Sequence, residues 1–126
     1  MCSSALNISA FKVGTKMQLT VNGRTIELDK EGFLVNLDDW DADAANMIAL
    51  NDQIHLTEAH WEIINLAREF YQTFQISPSM RALVKRTGQV LGAEKGRSIY
   101  LLQLFPVSPA RFACKIAGLP KPANCL

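Results

Sequence analysis

Residues 56–74 read LTEAHWEIINLAREFYQTF, and this stretch decides the fold because it carries the strongest helical periodicity of the chain. Large apolar side chains recur at spacings of three and four residues, which places them on one helix face. They are Trp61, Ile64, Ala67, Tyr71 and Phe74. Thr57 can cap the helix, and Glu58 favours the positive end of its dipole. We predict a long amphipathic helix at the centre of the core.

The chain before this helix predicts a β-hairpin. In residues 17–28, MQLTVNGRTIEL, apolar and polar residues alternate on both sides of Asn22-Gly23. Asparagine and glycine accept the positive φ angles of a two-residue type I′ turn. The following stretch, DKEGFLVNL, indicates a glycine-marked turn and then a third short strand or an extended segment.

Further helices are predicted from caps, prolines and apolar periodicity. Their start signals are Asp38 or Asp39, Ser77-Pro78, Ser98 and Ser108-Pro109, and their predicted ends are Leu50, Gly92, Leu104 and Ala117. Trp40 is expected to be buried on the first of them. The predicted fold is mainly α, a small helical bundle with an N-terminal β-hairpin and a flexible C-terminal arm.

One domain is expected, because 126 residues with 48% hydrophobic and 20% charged side chains fit a single compact core. Residues 1–16 show no periodicity and are predicted to be a flexible N-terminal extension. Residues 17–117 form the predicted domain, and residues 118–126 form a mobile C-terminal arm. Pro120 and Pro122 favour extended backbone within that arm.

The charge and hydropathy of the chain restrict its partners. A formal net charge of +1 gives no general attraction to nucleic acid or to an anionic membrane. No apolar run approaches the ~18 to 20 residues that cross a bilayer, and no signal pattern precedes Cys2. We expect a cytoplasmic protein without direct membrane insertion, for which nucleic acid is a disfavoured partner.

Cys114 and Cys125 carry the strongest functional signal. Ten residues separate them, among them one glycine and two prolines. A thiolate is the nucleophile in sulfur exchange, and a cysteine on an extended tail can enter the active site of another protein. We predict that Cys125 accepts sulfur on a swinging arm and presents it to Cys114 or to a third protein. The alternative for Cys114 is a small packing residue on an alanine-rich helix face.

A basic segment, SMRALVKRTGQVLGAEKGR, precedes the cysteines. Its cations are Arg81, Lys85, Arg86, Lys95 and Arg97. One interpretation is a solvated helix face and loop; the other is a surface that docks an acidic partner or guides an anionic group such as a persulfide. A pair of helices around Ser77 also permits a helix-turn-helix interpretation.

Three further cations, Arg111, Lys115 and Lys121, lie near the cysteines in sequence and can raise the thiolate fraction, whereas the terminal carboxylate beside Cys125 opposes them, which leaves the sign of the net effect open. They are also candidates for docking a partner or guiding an anionic group. No metal site is predicted. The chain has no Cys-x-x-Cys motif, and His55 and His60 are five residues apart, which does not place two ligands on one helix face.

Four motifs resemble the DsrC/TusE family, which includes the gamma subunit of dissimilatory sulfite reductase and its sulfur-relay relatives. They are DKEGFLVNLDDW (29–40), LTEAHWEIINLAREFY (56–71), GAEKGRSIYLLQLFP (92–106) and ACKIAGLPKPANCL (113–126). The last is the most specific, since it pairs a penultimate cysteine with a second one at the spacing typical of the family. The chain departs from the family pattern at Ser108 and Asn124, where glycine is common.

The resemblance implies a cysteine-based sulfur carrier that is a protein substrate or subunit of sulfite reductase rather than an autonomous enzyme. It implies that the partners are the alpha and beta subunits of dissimilatory sulfite reductase, and that the arm inserts into this enzyme so that Cys125 reaches a siroheme belonging to the partner. Cys114 would then be the resolving thiol, forming a disulfide or bracketing a trisulfide. The carrier would hold no cofactor of its own.

Further partners implied by the family are sulfur-transfer proteins and a membrane-bound reductase complex. The relay relatives keep only the penultimate cysteine, so Cys114 favours the sulfite reductase branch. Two alternatives remain open. One is a TusE-like relay protein for tRNA 2-thiouridine synthesis, and the other is a helix-turn-helix DNA-binding regulator that responds to the redox state of Cys114 and Cys125.

Overall fold

The computed structural model describes residues 10–13 and 16–122, which form a three-stranded antiparallel sheet followed by five α-helices. The strands are β1 (Ala10–Val13), β2 (Lys16–Val21) and β3 (Arg24–Leu28), and β2 lies in the middle. The helices are α1 (Ala42–Asn51), α2 (Glu58–Phe74), α3 (Met80–Leu91), α4 (Ser98–Leu104) and α5 (Pro109–Ile116). The mainly α fold with an N-terminal hairpin is confirmed.

The β2–β3 hairpin forms where the sequence predicts it. Asn22 and Gly23 have φ angles of 51° and 83°, and Val21 pairs with Arg24 across this two-residue turn. Alternation along both strands then places one set of side chains in the core. These buried residues are Leu19, Val21, Ile26 and Leu28.

The first strand differs from the predicted flexible extension over residues 1–16. Ala10–Val13 pair antiparallel with β2, with Ala10 opposite Leu19. A four-residue strand is too short to show an alternating pattern, and its hydrogen bonds come from the edge that β2 offers. Residues 1–9, 14 and 15 lie outside the described residues. The stretch after β3 contributes only a bridge between Leu28 and Leu34.

The start of α1 also differs from the prediction. Asp38 and Asp39 belong to a short 3-10 turn, Leu37–Asp39, and the cap of α1 is Asp41, whose Oδ1 accepts from the Ala44 N–H at 2.8 Å. Trp40 stands between the turn and the helix in extended conformation, with φ −76° and ψ 139°. Because Trp40 is not part of the helix, its indole can reach a distant part of the fold.

The cap of α2 is confirmed, whereas the start of α3 lies two residues beyond the prediction. Thr57 and His60 form a reciprocal capping box at the start of α2. The cap of α3 is Ser79, which accepts from the Ala82 N–H at 3.2 Å. Ser77 and Pro78 are therefore left outside the helix, in the turn that precedes it. Gly92 ends α3 as predicted.

The helix α2, predicted at the centre of the core, buries Ile63, Ile64 and Ala67 and packs against α5 and α3. The helix that packs most widely is α5. It lies against α1, α2, α3 and α4. Small side chains on its inner face, Ala110, Ala113 and Cys114, permit this close approach, and Ile116 is fully buried beside them. Among the described residues, no helix is long and apolar enough to cross a membrane.

Candidate functional site

Cys114 lies on α5 with no exposed surface. Its Sγ is 3.8 Å from the carbonyl oxygen of Pro78, the buried residue in the turn before α3. The thiol therefore lies against the turn formed by residues 77–79. Packing on an alanine-rich helix face, the alternative predicted for Cys114, describes its position; its predicted role in sulfur transfer remains a prediction. Cys125 lies outside the described residues.

The end of α5 is closed by a Schellman motif next to this thiol. The Leu119 N–H donates to the Cys114 carbonyl at 2.9 Å, and the Gly118 N–H donates to the Lys115 carbonyl at 3.1 Å. Gly118 has a φ of +75°, as the motif requires. The same backbone turn that ends the helix thus ties the first residues of the arm to the residue that bears the thiol.

Two side chains from distant segments cover this end of α5. The Trp40 Nε1–H donates to the Ile116 carbonyl at 2.8 Å, and an Arg68 N–H donates to the Ala117 carbonyl at 2.7 Å. The Arg68 guanidinium also stacks on the Trp40 ring, 3.8 Å from its centroid. Burial lowers the pKa of Arg68 below its usual value. Helix-end carbonyls that would otherwise lack partners are thereby satisfied.

Gly118 is required here for a second reason besides its φ angle. A Cβ at this position would lie 2.6 Å from Trp40 Cγ, which is inside van der Waals contact. The indole of Trp40 thus fills the space in which any other residue would place its side chain. Close packing of the tryptophan on the glycine backbone makes the start of the arm part of the core.

The arm remains in contact with the domain beyond the glycine. Leu119 is 3% exposed, and the Ser77 hydroxyl donates to the Pro120 carbonyl at 2.5 Å. Lys121 Nζ donates to Glu31 Oε2 at 3.0 Å. These contacts involve residues 119–121, and Pro122 is buried. Residues 123–126 lie outside the described part of the chain, so the mobility predicted for the arm stays a prediction.

A groove of about 250 Å³ runs beside this segment. Its walls come from the end of α2, the turn before α3 and the arm. The lining residues are Tyr71, Gln75, Ile76, Ser77, Pro120 and Lys121. Ile76 and the neighbouring Phe74 are 62% and 56% exposed. The surface around the start of the arm is therefore partly apolar.

The cations predicted near the thiols are engaged in ion pairs. Lys115 Nζ lies 3.1 Å from Asp52 Oδ2, and its side chain is only 8% exposed. It also lies 5.0 Å from the centroid of the Phe112 ring. Arg111 and Lys121 both reach Glu31, at 3.6 Å and 3.0 Å.

These ion pairs give the three cations structural partners. The hydrogen bond from Lys121, together with the two positive charges, lowers the pKa of Glu31. Lys115 is tied to α1, since Asp52 caps the end of that helix. The predicted effect of these three cations on the thiolate fraction must therefore occur while they remain paired with Glu31 and Asp52.

The basic segment divides into two groups. Lys95 pairs with Glu62 at 3.2 Å, which raises the pKa of Lys95, and the pair ties its loop to α2. Arg81, Lys85 and Arg97 are exposed and form no ion pair with any residue in the described ranges. Arg86 is partly buried, with a buried Nε that lacks a hydrogen-bond partner among these residues.

A charge asymmetry underlies this division. Residues 1–75 contain eleven acidic and five basic residues, whereas residues 76–126 contain one acidic and eight basic residues. The net charge of +1 conceals this separation. The lysines and arginines of residues 76–126 therefore form two groups. Some pair with acidic residues of the first half, and others, on α3 and at the start of α4, have no acidic partner among the described residues.

Sequence reasoning missed Arg68, Glu31 and Ser77 as residues that hold the start of the arm. Arg68 did carry a signal, because it is the one lysine or arginine between Lys30 and Arg81 and follows Ile64 by four residues on the buried face of the helix. His60, considered as a possible metal ligand, caps α2 and contacts the Leu104 carbonyl through Nε2 at 2.8 Å.

Fold and site together define a small helical domain with an N-terminal sheet, in which the segment leaving the last helix contacts the turn that lies against a buried thiol. The family model described as DsrC like protein matches residues 20–126. The Sulfurtransferase TusE homolog of Haemophilus influenzae is 52% identical over 108 residues, covering 86% of this chain and 99% of the relative. The chain belongs to the DsrC/TusE family of sulfur-relay proteins.

Solved structures agree with this assignment. The NMR structure of Allochromatium vinosum DsrC is 49% identical, with a TM-score of 0.79, and the match covers 86% of this chain and 97% of that one. The oxidized gamma-subunit of the dissimilatory sulfite reductase from Archaeoglobus fulgidus is 37% identical, with a TM-score of 0.77 and coverage of 86% and 99%. The family resemblance seen in the four motifs is confirmed.

Proposed function

We propose that this chain is a TusE-like sulfur-relay protein, which takes persulfide sulfur from one sulfur-transfer protein and passes it to the machinery of tRNA 2-thiouridine synthesis. The identity of 52% to a relative named as a TusE homolog supports this branch. The observation that best supports the carrier mechanism is that the arm leaves α5 beside Cys114 and that its first residues are bonded to the domain. In this function the chain is a protein substrate and not an autonomous enzyme.

In the loading step, the Cys125 thiolate attacks the terminal sulfur of a donor persulfide. The donor's sulfur–sulfur bond breaks, the donor leaves as a thiolate, and Cys125 gains the persulfide. No net oxidation occurs, because one thiolate replaces another. Delivery repeats the exchange in the opposite direction on an acceptor protein.

Sulfur loading of single-cysteine variants tests the carrier role. The protein is incubated with a persulfidated donor, and its intact mass is measured. Wild type and Cys2→Ala are expected to gain one sulfur atom, whereas Cys125→Ala gains none. A gain in Cys125→Ala equal to that of wild type would rule out the proposed carrier thiol.

A second candidate is the DsrC-like function, in which the arm docks on the alpha and beta subunits of dissimilatory sulfite reductase. Cys114 favours it, since the family's relay branch keeps only the penultimate cysteine, and so does the likeness to the Archaeoglobus gamma-subunit. Siroheme would belong to the partner. Competition between purified sulfite reductase and a relay acceptor for the loaded chain distinguishes the two functions.

We further propose that Arg81, Lys85 and Arg97 form the docking face for an acidic surface of the sulfur-transfer partner. Arg81 lies on the first turn of α3, three residues after the Pro78 carbonyl that contacts the Cys114 thiol. Exposed cations without ion pairs can pair with a partner's carboxylates and steer its approach. The docking face therefore adjoins the site of sulfur transfer.

Charge reversal tests this face. The double variant Arg81→Glu/Lys85→Glu is expected to raise the KM of sulfur transfer about tenfold at low salt and to weaken its salt dependence. Lys30→Glu, a single exposed reversal in the acidic half, is the control for a change of surface charge away from α3, and it is compared with the single variant Lys85→Glu. An equal KM in both variants would show that docking takes place elsewhere.

A further inference from the structure

The end of α5 and the start of the arm are held by three side chains from separate parts of the fold. Trp40 and Arg68 donate to the carbonyls of Ile116 and Ala117, and Ser77 donates to the carbonyl of Pro120. We call Trp40, Arg68 and Ser77 the arm clamp. Its members come from the segment before α1, from α2 and from the turn before α3.

The arm clamp directs the arm past the thiol of Cys114. Ser77 contacts the arm at Pro120, and its neighbour Pro78 contacts Cys114 Sγ. Two consecutive residues of one turn therefore touch the arm and the thiol. A chain held along this path passes close to Cys114 before it reaches the residues that carry Cys125.

The Lys121–Glu31 contact, which lies beyond the arm clamp, sets the length of chain that can move. Cys125 is four positions beyond Lys121, which corresponds to a reach of at most ~14 Å. If the contacts beyond Gly118 are released, Cys125 is seven positions beyond the glycine and the reach rises to ~25 Å. Effective concentration falls roughly as the −3/2 power of length, so the held arm keeps its cysteine nearer to the domain.

We propose that Trp40 and Arg68 are positioning residues for sulfur transfer, because they hold the end of α5 so that the arm is aimed along the turn that contacts Cys114. Because Lys121 is also bonded to Glu31, the pivot of the arm lies beyond Lys121 and not at Gly118. This inference rests on the proposed role of Cys114 and Cys125 as a working thiol pair, and it deepens that role by naming the residues that set their encounter.

How readily Cys114 and Cys125 meet can be measured from the formation of their disulfide bridge in glutathione buffers. Two thiols of the protein lose two protons and two electrons, and one glutathione disulfide becomes two glutathione thiols. The equilibrium constant, read by thiol counting and intact mass in a Cys2→Ala background, has units of concentration and reports the effective concentration of one thiol at the other.

Trp40→Phe keeps a ring over Gly118 but removes the Nε1–H that bonds to Ile116. We expect it to lower the equilibrium constant at least about twofold and to speed hydrogen exchange of the Leu119 amide. Trp61→Phe is the matched control, because Trp61 packs partly buried against the core but donates no hydrogen bond to the arm among the described residues. Arg68→Met, which keeps an apolar stem, is a second test if Trp40→Phe fails to fold.

The possible failures can be distinguished. If the Cys2→Ala parent forms no Cys114–Cys125 bridge, both the working thiol pair and the positioning role are wrong. The carrier function is then still tested separately by sulfur loading of Cys125. If the parent forms the bridge and its equilibrium constant is equal in Trp40→Phe and Trp61→Phe, only the positioning role is wrong. A twofold or larger loss confined to Trp40→Phe and Arg68→Met supports it.

Discussion

The start of the arm and the docking face on α3 and α4 are both rich in cations, but they differ in how those cations are partnered. At the start of the arm, Lys115 pairs with Asp52, and Arg111 and Lys121 pair with Glu31. On the docking face, Arg81 and Lys85 meet no acidic partner among the described residues. Lysines and arginines thus form ion pairs within the protein in one region and lack acidic partners among the described residues in the other.

The difference shows which cations hold the protein together and which remain available. An ion pair that ties the arm or α5 to another segment contributes to the folded state, and breaking it exposes or strands a charge. An exposed cation without a partner contributes little to folding, and its charge remains accessible to another molecule. Substitutions at the start of the arm should therefore affect stability, whereas substitutions on the docking face should affect partner binding.

The largest expected effect is that of Gly118→Ala. A left-handed backbone costs an alanine about 1–2 kcal/mol, and the clash with Trp40 adds about 1–3 kcal/mol of overpacking. We expect the free energy of unfolding to fall by about 4 kcal/mol in urea titrations. Gly23→Ala is the control, since its φ is +83° but no atom lies within 4 Å of the new Cβ. Equal losses in both variants would contradict the packing of Trp40 on Gly118.

A somewhat smaller loss is expected for Asp52→Ala. This change leaves the ammonium of Lys115, whose side chain is 8% exposed, without its carboxylate partner. An uncompensated buried charge of this kind costs about 3 kcal/mol. Lys85→Met on the docking face should change the free energy of unfolding by no more than about 0.5 kcal/mol. If the two variants unfold at the same urea concentration, the proposed contrast between the two regions is wrong.

The smallest effect is a pH dependence at Glu31. Its pKa is lowered from 4.5 in the folded state, so its contribution to stability is complete above the unfolded value and is lost as the pH falls through the lowered pKa. Wild type should therefore unfold at a slightly higher urea concentration than Glu31→Gln at neutral pH, and this difference should disappear in acid. Added salt should also reduce the difference, because the pair is partly exposed. If wild type and Glu31→Gln still unfold at different urea concentrations at acid pH, the difference does not come from the ionised Glu31 carboxylate.

Much of the fold follows from signals that act over a few residues. Asn22-Gly23 forms its turn, Thr57 caps α2, and Pro109 occupies the first turn of α5, all as local backbone preferences predict. The helix starts at Asp41 and Ser79 were missed because other capping residues lie close by in each case. Tertiary contacts select among them, because Trp40 and Ser77 are used outside the helices, where Trp40 bonds the end of α5 and Ser77 bonds the arm.

The sequence by itself determined the helical class, the hairpin, the two cysteines at their spacing and the family. Only the tertiary structure decided how the arm is held, since the Trp40–Ile116 and Lys121–Glu31 contacts join residues 76 and 90 positions apart. Hydrogen bonds and ion pairs at such separations form only after distant segments pack together, and no local pattern encodes them. For the same reason, the cations of the docking face could be separated from those of the arm only when the acids of the first half of the chain had been placed.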